Sequence, residues 1–590
     1  MFMYRSLISR QMRANLFRSI DKLYYNGDHG NVRLARLISN YSSKKQIHLN
    51  EQNTHNNIVN SPCSNIHGYE NVLLHEIVWQ NMDKWSNKTA IECAITGKSY
   101  NYQQLRKHVD RLAMSLRKAK LLQYDTAAII LPNIPEYVII ILAAIEAGLR
   151  ITTMNPMWTG TEIMKQIRDS ETSAIFTNPL IYPTIKKSIE NNSKIKLPII
   201  VVNDGSGSIP SGTINLNDLM KEGIEEFSKN QKTGVNPEDD IFLLYSSGTT
   251  GLPKGVQLTH RNIVANLLQI SSPEVSIGIS TTETTQDTVP MVLPFFHIYA
   301  LVPLICNYLR IGAKLVCLPQ FSIKDYIKIL ENYKPTLLYL VPPIIQMMVN
   351  NEQITSRHVE HVRMIISGAA PLGIDTISKF HERVSDKVQF VQGYGMTETS
   401  PVVTLSKTAP ANSVGFPVSN TQLRFVKYKD DESINVGPNE IGEIYVKGPQ
   451  VMKGYYKNPQ ATQDTMDGDW IKTGDVGKYD ELGYIYIEGR SKELIKVKGF
   501  QVAPAELENI ISNLDGIADV AVIGVPHDKY GEIPKAFIVP KKGVTVNPED
   551  VKSFVAKHVS NYKQIGHVQF INEIPKSPAG KILRKKLQNM

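Results

Sequence analysis

The sequence predicts an α/β fold: a large N-terminal domain built on parallel sheets, a small β-barrel-like subdomain, and a separate, small α+β C-terminal domain. Three observations support this prediction. From about residue 72, short β-rich runs alternate with helical patterns. Near residues 437–448 the pattern changes to strands punctuated by Gly and Pro, and a compact block begins after Arg490. Alternation of strands and helices is typical of parallel sheets with crossover helices.

The apolar pattern predicts the individual elements. Residues 126–131 (Thr-Ala-Ala-Ile-Ile-Leu) predict a strand, and Pro135 opens an apolar helix that reaches Gly148. Further strands are predicted at residues 173–176 and 197–202. In the last block, the pattern predicts a helix over 505–514 and a strand over 520–525.

The chain of 590 residues is too long for one hydrophobic core. Its content of 42% apolar and 21% charged residues is ordinary for a globular protein. We predict four segments. They are a basic tail over 1–46, a flexible lead-in rich in Asn, His, Gln and Ser over 47–70, an N-terminal domain over 71–490 and a C-terminal domain over 491–590.

The net charge of +9 is concentrated in the tail. Residues 1–46 contain nine Lys or Arg against two Asp, a net +7, which leaves about +2 for the rest of the chain. Because no basic domain remains, we expect no nucleic-acid partner. The first twenty residues hold four Arg, several Ser and no acid, the composition of a mitochondrial transit peptide. The mitochondrial matrix is the expected location, and a disordered basic tail on a cytoplasmic protein is the alternative.

Neither a membrane span nor a metal cluster is expected. The longest apolar run, residues 137–145, is far shorter than a bilayer span. The four cysteines (Cys63, Cys93, Cys306 and Cys317) show no C-x-x-C spacing, which argues against a zinc site or a disulfide framework. No pattern predicts the oligomeric state.

Residues 245–255, Tyr-Ser-Ser-Gly-Thr-Thr-Gly-Leu-Pro-Lys-Gly, form the most informative string and follow a predicted buried strand. Glycines let backbone N–H groups converge on a phosphate, hydroxyls add donors, and the lysine adds a positive charge. The string is not a Walker A loop, because Gly255 follows Lys254 where Ser or Thr is required. A polyphosphate is the expected ligand. The candidate phosphate contacts are Ser246, Ser247, Gly248, Thr249, Thr250 and Lys254.

This string resembles the phosphate loop of the adenylate-forming superfamily, which contains acyl-CoA synthetases, coumarate–CoA ligases, firefly-type luciferases and adenylation domains of peptide synthetases. The resemblance extends from about residue 72 to 590, and it is strongest to the coumarate–CoA ligase-like branch. It implies two parallel-sheet subdomains in the large domain and a small domain that moves between two half-reactions.

Two further motifs resemble the nucleotide site of that family. Residues 393–399, Gly-Tyr-Gly-Met-Thr-Glu-Thr, follow a predicted strand. By resemblance, Thr397 contacts the α-phosphate and Glu398 binds Mg²⁺, a cation that prefers carboxylate and phosphate oxygens. The glycine turn (Gly393, Tyr394 and Gly395) would approach the adenine. Within Thr473-Gly474-Asp475, Asp475 corresponds to the ribose ligand, and Arg490 corresponds to an arginine that contacts ribose and phosphate.

The C-terminal block carries the family's lysine motifs. Lys581 lies in Pro-Lys-Ser-Pro-Ala-Gly-Lys-Ile-Leu (575–583) and corresponds to the catalytic lysine of adenylation. Residues 494–506 resemble the segment that serves thioester formation, with Lys496 and Gln501 at the functional positions. Lys498 and Gly499 correspond to the CoA-binding positions. Lys492 corresponds to the hinge.

The resemblance also implies an acyl pocket. Its candidate residues are His297, Tyr299, Gly368, Ala369, Gly393, Pro401 and Val402. The residue matching His297 lies between the carboxylate site and the CoA tunnel in relatives, which makes His297 a candidate catalytic residue as well. The chain departs from the plant coumarate ligases at Val302-Pro303 and at Tyr445, which argues against strict hydroxycinnamate specificity.

The sequence therefore predicts an ATP-dependent carboxylic acid–CoA ligase that uses ATP, Mg²⁺ and CoA and acts on an aryl or medium-chain fatty acid. The expected partners are these small molecules alone. Two alternatives remain open. One is a luciferase-like oxidase that uses the same adenylate, and the other is a non-catalytic member that only binds nucleotide.

Overall fold

The computed structural model describes residues 54–55, 57–119, 121, 123–190, 197–221, 234–246, 253–429, 432–497, 500–527, 530–577 and 580–590. The predicted basic tail over 1–46 lies outside the described residues. The α/β fold with a large N-terminal domain and a small C-terminal domain is confirmed.

An eight-stranded sheet forms one layer of the large domain. Six of its strands pair in parallel, and two antiparallel strands extend one edge. In spatial order the strands are Gly454–Tyr455, Lys254–Thr259, Asp240–Ser246, Arg150–Thr153, Thr126–Ile129, Thr172–Thr177, Ile199–Val201 and Ile214–Asn215. The predicted apolar helix is confirmed as Pro135–Glu146, and all its residues are buried, which explains why it is apolar on every side.

A second parallel region contains two smaller sheets. The four-stranded sheet has the order Thr288–Met291, Lys314–Cys317, Thr89–Cys93 and Ser99–Asn101. The three-stranded parallel sheet has the order Leu337–Leu340, Met364–Ser367 and Gln389–Gln392. Because the last two strands are parallel neighbours, the residues that follow them, Gly368 and Gly393, meet at one sheet edge.

The predicted barrel-like subdomain is a mainly antiparallel sheet. Its strands are Thr54–His55, Ile58–Asn60, Gln422–Lys429, Glu432–Asn435, Gly442–Lys447, Met466–Asp467, Trp470–Tyr479 and Ile485–Arg490. A short antiparallel sheet of Tyr394–Gly395, Val402–Leu405 and Phe416–Pro417 lies close to the nucleotide motif.

The predicted flexible lead-in over 47–70 is wrong for its second half. Strand Ile58–Asn60 pairs antiparallel with Gln422–Lys429, and Val59 is buried. The composition of this segment is polar, but two apolar residues are sufficient to anchor a short strand on an existing sheet. The local composition could not predict this strand, because its partner lies more than 350 residues later in the chain.

The small domain is a five-stranded sheet with its own apolar core. Its strands are Ile495–Val497, Phe500–Val502, Ile517–His527, Gly531–Pro540 and His567–Phe570. Its helices are Pro504–Ser512, Pro548–Ala556 and Arg584–Leu587. The predicted helix over 505–514 and strand over 520–525 are confirmed with shifted ends.

The remaining α-helices cover the sheets of the large domain. They are Leu74–Trp79, Tyr102–Lys118, Gly160–Asp169, Tyr182–Glu190, Leu216–Lys221, His260–Gln269, Asn307–Arg310, Ile323–Tyr333, Pro342–Asn350, Ile374–Arg383 and Pro459–Thr465. A π-helical segment, Ala300–Cys306, contains Pro303. Within the described ranges, no helix has the length and apolar character needed to cross a membrane.

The two domains contact each other through helix Ile374–Arg383 of the large domain. Asn513 Nδ2 of the small domain donates to Asp375 Oδ2 at 2.5 Å, and Lys379 Nζ lies 3.4 Å from Asn513 Oδ1. A Cβ on Gly373 would lie 1.9 Å from Asn509 Oδ1. The small domain therefore packs closely against the start of this helix.

Candidate active site

The predicted phosphate loop joins two antiparallel strands. Ser246 ends one strand, Lys254 begins the next, and the two are direct partners in the register. Both ends of the loop are therefore fixed opposite each other. The candidates that lie outside the described residues are Ser247, Gly248, Thr249 and Thr250.

A tight turn after strand Gln389–Gln392 carries the predicted metal ligand, Glu398. The backbone N–H of Met396 donates to the carbonyl oxygen of Pro401 at 3.1 Å. A Cβ on Gly395 would lie 1.9 Å from that same oxygen. Only glycine allows this close approach, so the glycine of the motif is required by the turn that presents Glu398.

The Glu398 carboxylate is buried, with 4% of the residue exposed. Its Oε1 accepts hydrogen bonds from Ser246 Oγ at 2.8 Å and from the Tyr455 hydroxyl at 3.0 Å. The Lys254 ammonium lies 4.9 Å from the centre of the Tyr455 ring. The half-buried Thr397 precedes Glu398 in the same short turn. The structure thus brings together a carboxylate, two hydroxyl side chains and a cation, and Thr397 is the neighbour of Glu398 in the chain.

Tyr455 was missed from the sequence. It joins the site because it pairs with Val256 on the strand that begins at Lys254. The Gly-Tyr-Tyr string at 454–456 suggests no phosphate chemistry, and its register with a strand some 200 residues earlier in the chain has no local signal.

The residues around Glu398 fit a Mg²⁺ ion that arrives with a nucleotide. In the part of the chain that the structure describes, no group of three or more His, Cys, Asp or Glu residues could hold a metal. Glu398 Oε2 accepts no hydrogen bond from any described residue, while Oε1 accepts two. Mg²⁺ is commonly bound by one or two carboxylates together with phosphate oxygens and water.

The predicted ribose ligand, Asp475, is fixed by two partners. Asp475 and Arg490 are direct cross-strand neighbours, and Arg490 Nε lies 2.9 Å from Asp475 Oδ1. The Tyr394 hydroxyl donates to Asp475 Oδ2 at 2.7 Å. Burial, followed by the Asp475 charge, raises the pKa of Tyr394 well above its ordinary value, so the hydroxyl stays protonated. The nucleotide motif and the ribose motif therefore meet.

The small domain contributes Lys581 to this site. Its loop is closed by hydrogen bonds from Ser577 N to Lys581 O at 2.7 Å and from Lys581 N to Ser577 Oγ at 3.1 Å. A Cβ on Gly580 would lie 3.3 Å from Pro343 of the large domain. Burial, then the charge of Arg490, lowers the pKa of Lys581, while Asp475 and Glu398 are among the carboxylates that raise it. Lys581 is therefore within electrostatic range of both nucleotide-binding motifs.

Lys496 lies elsewhere on the small domain. It is exposed on strand Ile495–Val497, and its backbone N–H donates to Glu532 Oε2 at 2.7 Å. It pairs with Gln501, whose strand is described but whose side chain is not. Lys498 and Gly499 lie outside the described residues. Lys492, the predicted hinge, is exposed in the turn after strand Ile485–Arg490.

The predicted acyl-pocket residues meet where two parallel strands end. Gly393 N donates to the carbonyl of Ser367 at 3.0 Å, which places Gly393 beside Gly368. A Cβ on Gly368 would lie 3.0 Å from the ring of Tyr299, so the ring lies directly over this glycine. Ala369 follows with a φ of 70°, a conformation that is uncommon for a residue with a side chain.

The other side of the predicted pocket is formed by a second pair of segments. The backbone of Val402 is held by the side-chain amide of Asn266: Val402 N donates to Asn266 Oδ1 at 3.1 Å, and Asn266 Nδ2 donates to the Val402 carbonyl at 2.8 Å. Pro401 precedes Val402. Burial, with a contribution from the Lys581 charge, lowers the pKa of His297 to about 4. His297 is therefore a neutral imidazole at pH 7, near the lysine of the small domain.

A layer of tyrosines lies behind Tyr299. Its hydroxyl donates to the carbonyl of Ile366 at 3.3 Å, and its ring packs edge-on against Tyr339. The hydroxyls of Tyr339 and Tyr308 lie 2.8 Å apart. Tyr445, the departure noted in the sequence, lies in the antiparallel sheet and hydrogen bonds to Tyr428.

Comparisons with known proteins agree with this geometry. The family model described as AMP-binding enzyme matches residues 78–456, and the model of the AMP-binding enzyme C-terminal domain matches residues 506–581. The curated protein 4-coumarate–CoA ligase 1 of Arabidopsis thaliana is 36% identical over 551 residues, which is 92% of this chain and 97% of the relative.

Solved structures show the same fold. ATP-bound MatB from Rhodopseudomonas palustris is 28% identical, with a TM-score of 0.77 over 88% of this chain and 98% of that chain. The o-succinylbenzoate CoA synthetase of Bacillus subtilis, solved with an acyl-adenylate intermediate, is 26% identical, with a TM-score of 0.72 over 87% of this chain and 98% of that chain. From the two domain matches, the identity to curated relatives and the shared fold, this chain belongs to the AMP-binding enzyme family.

Proposed function

We propose that this protein is an ATP-dependent carboxylic acid–CoA ligase. It forms an acyl-adenylate with release of pyrophosphate, and then an acyl-CoA thioester with release of AMP. The observation that carries the proposal is that Lys581, contributed by the small domain, lies within electrostatic range of Arg490, Asp475 and Glu398. Similarity to proteins named as CoA ligases supports the same reaction.

In the first half-reaction, a carboxylate oxygen attacks the α-phosphorus of ATP, and the bond to pyrophosphate breaks. Two anions approach each other, so negative charge accumulates between them. The Lys581 ammonium would bridge the carboxylate and phosphate oxygens and stabilise that charge. Its half-buried position strengthens the interaction, because water screens it less than at a fully exposed site.

The large domain would hold the nucleotide. Asp475 would accept hydrogen bonds from the ribose hydroxyls, since a carboxylate oxygen has lone pairs beyond those used by its protein partners. Arg490 and Tyr394 fix its orientation. Thr397 and Lys254 would contact the phosphates.

Glu398 would hold Mg²⁺ through Oε2, which accepts no hydrogen bond from the residues that the structure describes. When bound, the ion would neutralise charge on the phosphates and the pyrophosphate leaving group. The hydroxyls of Ser246 and Tyr455 hold the opposite oxygen of the carboxylate and so set its direction.

In the second half-reaction, the CoA thiol attacks the acyl carbonyl and AMP leaves. We propose that the small domain turns about Lys492, withdraws Lys581 and brings the segment of Lys496 and Gln501 to the site, with Lys498 and Gly499 beside the pantetheine. One rigid site would not serve both steps, because the two reactions need different groups at the same place. Because His297 Nδ1 accepts the backbone N–H of Tyr299 at 3.3 Å, the neutral ring carries its proton on Nε2 and can donate a hydrogen bond there.

We propose an aryl or medium-chain fatty acid as the substrate. Tyr299 lies over Gly368, and this pair offers a flat aromatic surface beside a glycine without a side chain. Such a surface suits a planar ring or an extended chain. The resemblance to 4-coumarate–CoA ligases supports the same range.

The basic tail is proposed to direct the protein to the mitochondrial matrix. Its four Arg and several Ser without an acid in the first twenty residues support this location. Fusion of residues 1–46 to a fluorescent protein would test it, and a cytoplasmic signal would contradict it.

The test of the function is pyrophosphate release by the purified full-length protein, with aryl and C4–C16 acids, with and without CoA. Lys581→Ala serves as the matched control. Release that depends on the acid, followed by a thioester that depends on CoA, is the expected result. Release without thioester formation would exclude the ligase, and oxygen consumption with light emission would indicate the oxidase.

A further inference from the structure

Tyr455 is a buried tyrosine at the nucleotide site to which no motif assigns a role. It is 8% exposed, and its hydroxyl donates to Glu398 Oε1 at 3.0 Å. Its ring faces the ammonium of Lys254 at 4.9 Å. One side chain thus contacts both the carboxylate and the lysine that are expected to bind the metal–nucleotide.

The backbone holds Tyr455 in this place from three sides. Tyr455 pairs with Val256 on the strand that begins at Lys254, and the next residue, Tyr456, donates its N–H to the carbonyl of Gly255 at 2.8 Å. Tyr455 N donates to Thr462 Oγ1 at 2.9 Å. These hydrogen bonds fix the backbone of Tyr455 beside the phosphate loop and so limit where its ring can lie.

The same segment also holds the backbone of Glu398. Met452 N donates to the carbonyl oxygen of Glu398 at 2.8 Å. Residues 452–455 therefore contact Glu398 through both its backbone and its side chain. Together with Ser246, Tyr455 occupies one carboxylate oxygen and leaves the other available.

We propose that Tyr455 is a positioning residue that directs Glu398 Oε2 toward the divalent cation of the bound metal–nucleotide and keeps Lys254 beside it. This inference rests on the proposed function. Carboxylates that ligate metals are usually hydrogen bonded by a second layer of groups, and the loss of such a group costs about 10- to 100-fold in metal affinity. A tyrosine hydroxyl carries its proton at neutral pH, so it donates to the carboxylate.

The two contacts can be separated by substitution. Tyr455→Phe removes the donor to Glu398 and keeps the ring against Lys254. Tyr455→Leu removes both contacts. Tyr456→Phe is the matched control, because the Tyr456 hydroxyl donates to the exposed Glu171 at 2.7 Å, away from Glu398.

The test measures Mn²⁺ binding by the full-length protein, with saturating α,β-methylene-ATP, from the electron paramagnetic resonance signal of free Mn²⁺. Tyr455→Phe should raise the Mn²⁺ dissociation constant about tenfold, whereas Tyr456→Phe should leave it unchanged. Binding of the analogue in EDTA should be unchanged in Tyr455→Phe and weakened in Tyr455→Leu. In the full reaction, high Mg²⁺ should restore the rate of Tyr455→Phe.

Equal Mn²⁺ affinity in wild type and Tyr455→Phe, or equal losses in both Phe variants, would overturn the inference and leave the proposed function intact. Wild-type protein that binds no Mn²⁺ with the analogue would overturn both. If Tyr455→Phe does not fold, Ser246→Ala decides. It removes the other donor to the same oxygen and should weaken Mn²⁺ binding while binding of the analogue in EDTA stays unchanged. Unchanged Mn²⁺ affinity, or weaker binding of the analogue in EDTA, would contradict the account.

Discussion

At the scale of single residues, burial sets the protonation states on which the site depends. The pKa of the half-buried His297 is lowered to about 4, that of the half-buried His75 to about 4, and that of the buried His260 to about 3. Desolvation is the main cause in all three. His260 Nδ1 accepts a hydrogen bond from Leu74 N at 3.0 Å, which requires an unprotonated nitrogen. These rings are neutral in the folded protein.

This burial predicts a pH-dependent stability. Between the unfolded pKa of about 6.5 and the lowered folded value, the unfolded chain binds more protons, so stability falls as the pH decreases, by about 1.4 kcal/mol per pH unit for each group. His260→Gln should be less stable than wild type at pH 7, and the difference should shrink toward pH 5. Thermal unfolding of both proteins from pH 7 to pH 5 measures this stability difference. A difference that stays constant over this pH range would contradict the lowered pKa of His260.

At the scale of elements, the Gly393–Pro401 turn determines where Glu398 lies. Gly395→Ala would place a Cβ 1.9 Å from the Pro401 oxygen and force the turn to move. A displacement of about 1 Å at a reacting site costs about 100-fold in rate, so adenylation should fall by that order. Pyrophosphate release measures the rate of adenylation in this variant.

Gly437→Ala is the control, because its Cβ would meet only Asn57 Oδ1 at 3.8 Å. Similar activity in both variants would contradict the role of the turn.

Most elements could be predicted from the sequence, because their signals are local. The helix Pro135–Glu146 follows from a run of apolar residues after a proline, and the glycine turn follows from its motif. Strand Ile58–Asn60 and the role of Tyr455 could not be predicted. Both positions depend on pairing with strands that are distant in sequence. The paired segments have only two or three residues, which is too few to show the alternating apolar pattern of a strand.

At the scale of the whole molecule, close packing between the two domains stabilises the orientation of the small domain that the structure shows. Gly373 has a φ of −67°, which any residue can adopt, but a side chain there would meet Asn509 of the small domain. Gly373→Leu should slow adenylation about tenfold, equivalent to about 1.4 kcal/mol. It should leave thioester formation from supplied acyl-adenylate unchanged, and this half-reaction is the internal control. Equal loss of both rates would indicate general destabilisation.

The orientation of the small domain could not be predicted from the sequence. The motifs of Lys581 and Lys496 are equally clear in the sequence, yet only Lys581 faces the nucleotide motifs. The sequence contains the motifs for both proposed orientations of the small domain, whereas the structure shows one orientation. The orientation of the small domain depends on contacts between the domains, such as the hydrogen bond between Asp375 and Asn513. No sequence motif predicts this contact.

The central claim is that one site serves two half-reactions with different faces of the small domain. The most direct measurement compares Lys581→Ala and Lys496→Ala in both steps, with pyrophosphate release for adenylation and thioester yield from supplied acyl-adenylate for the second step. Lys581→Ala should lose adenylation and keep thioester formation, and Lys496→Ala should show the reverse. Equal loss of both half-reactions in both variants would contradict the account.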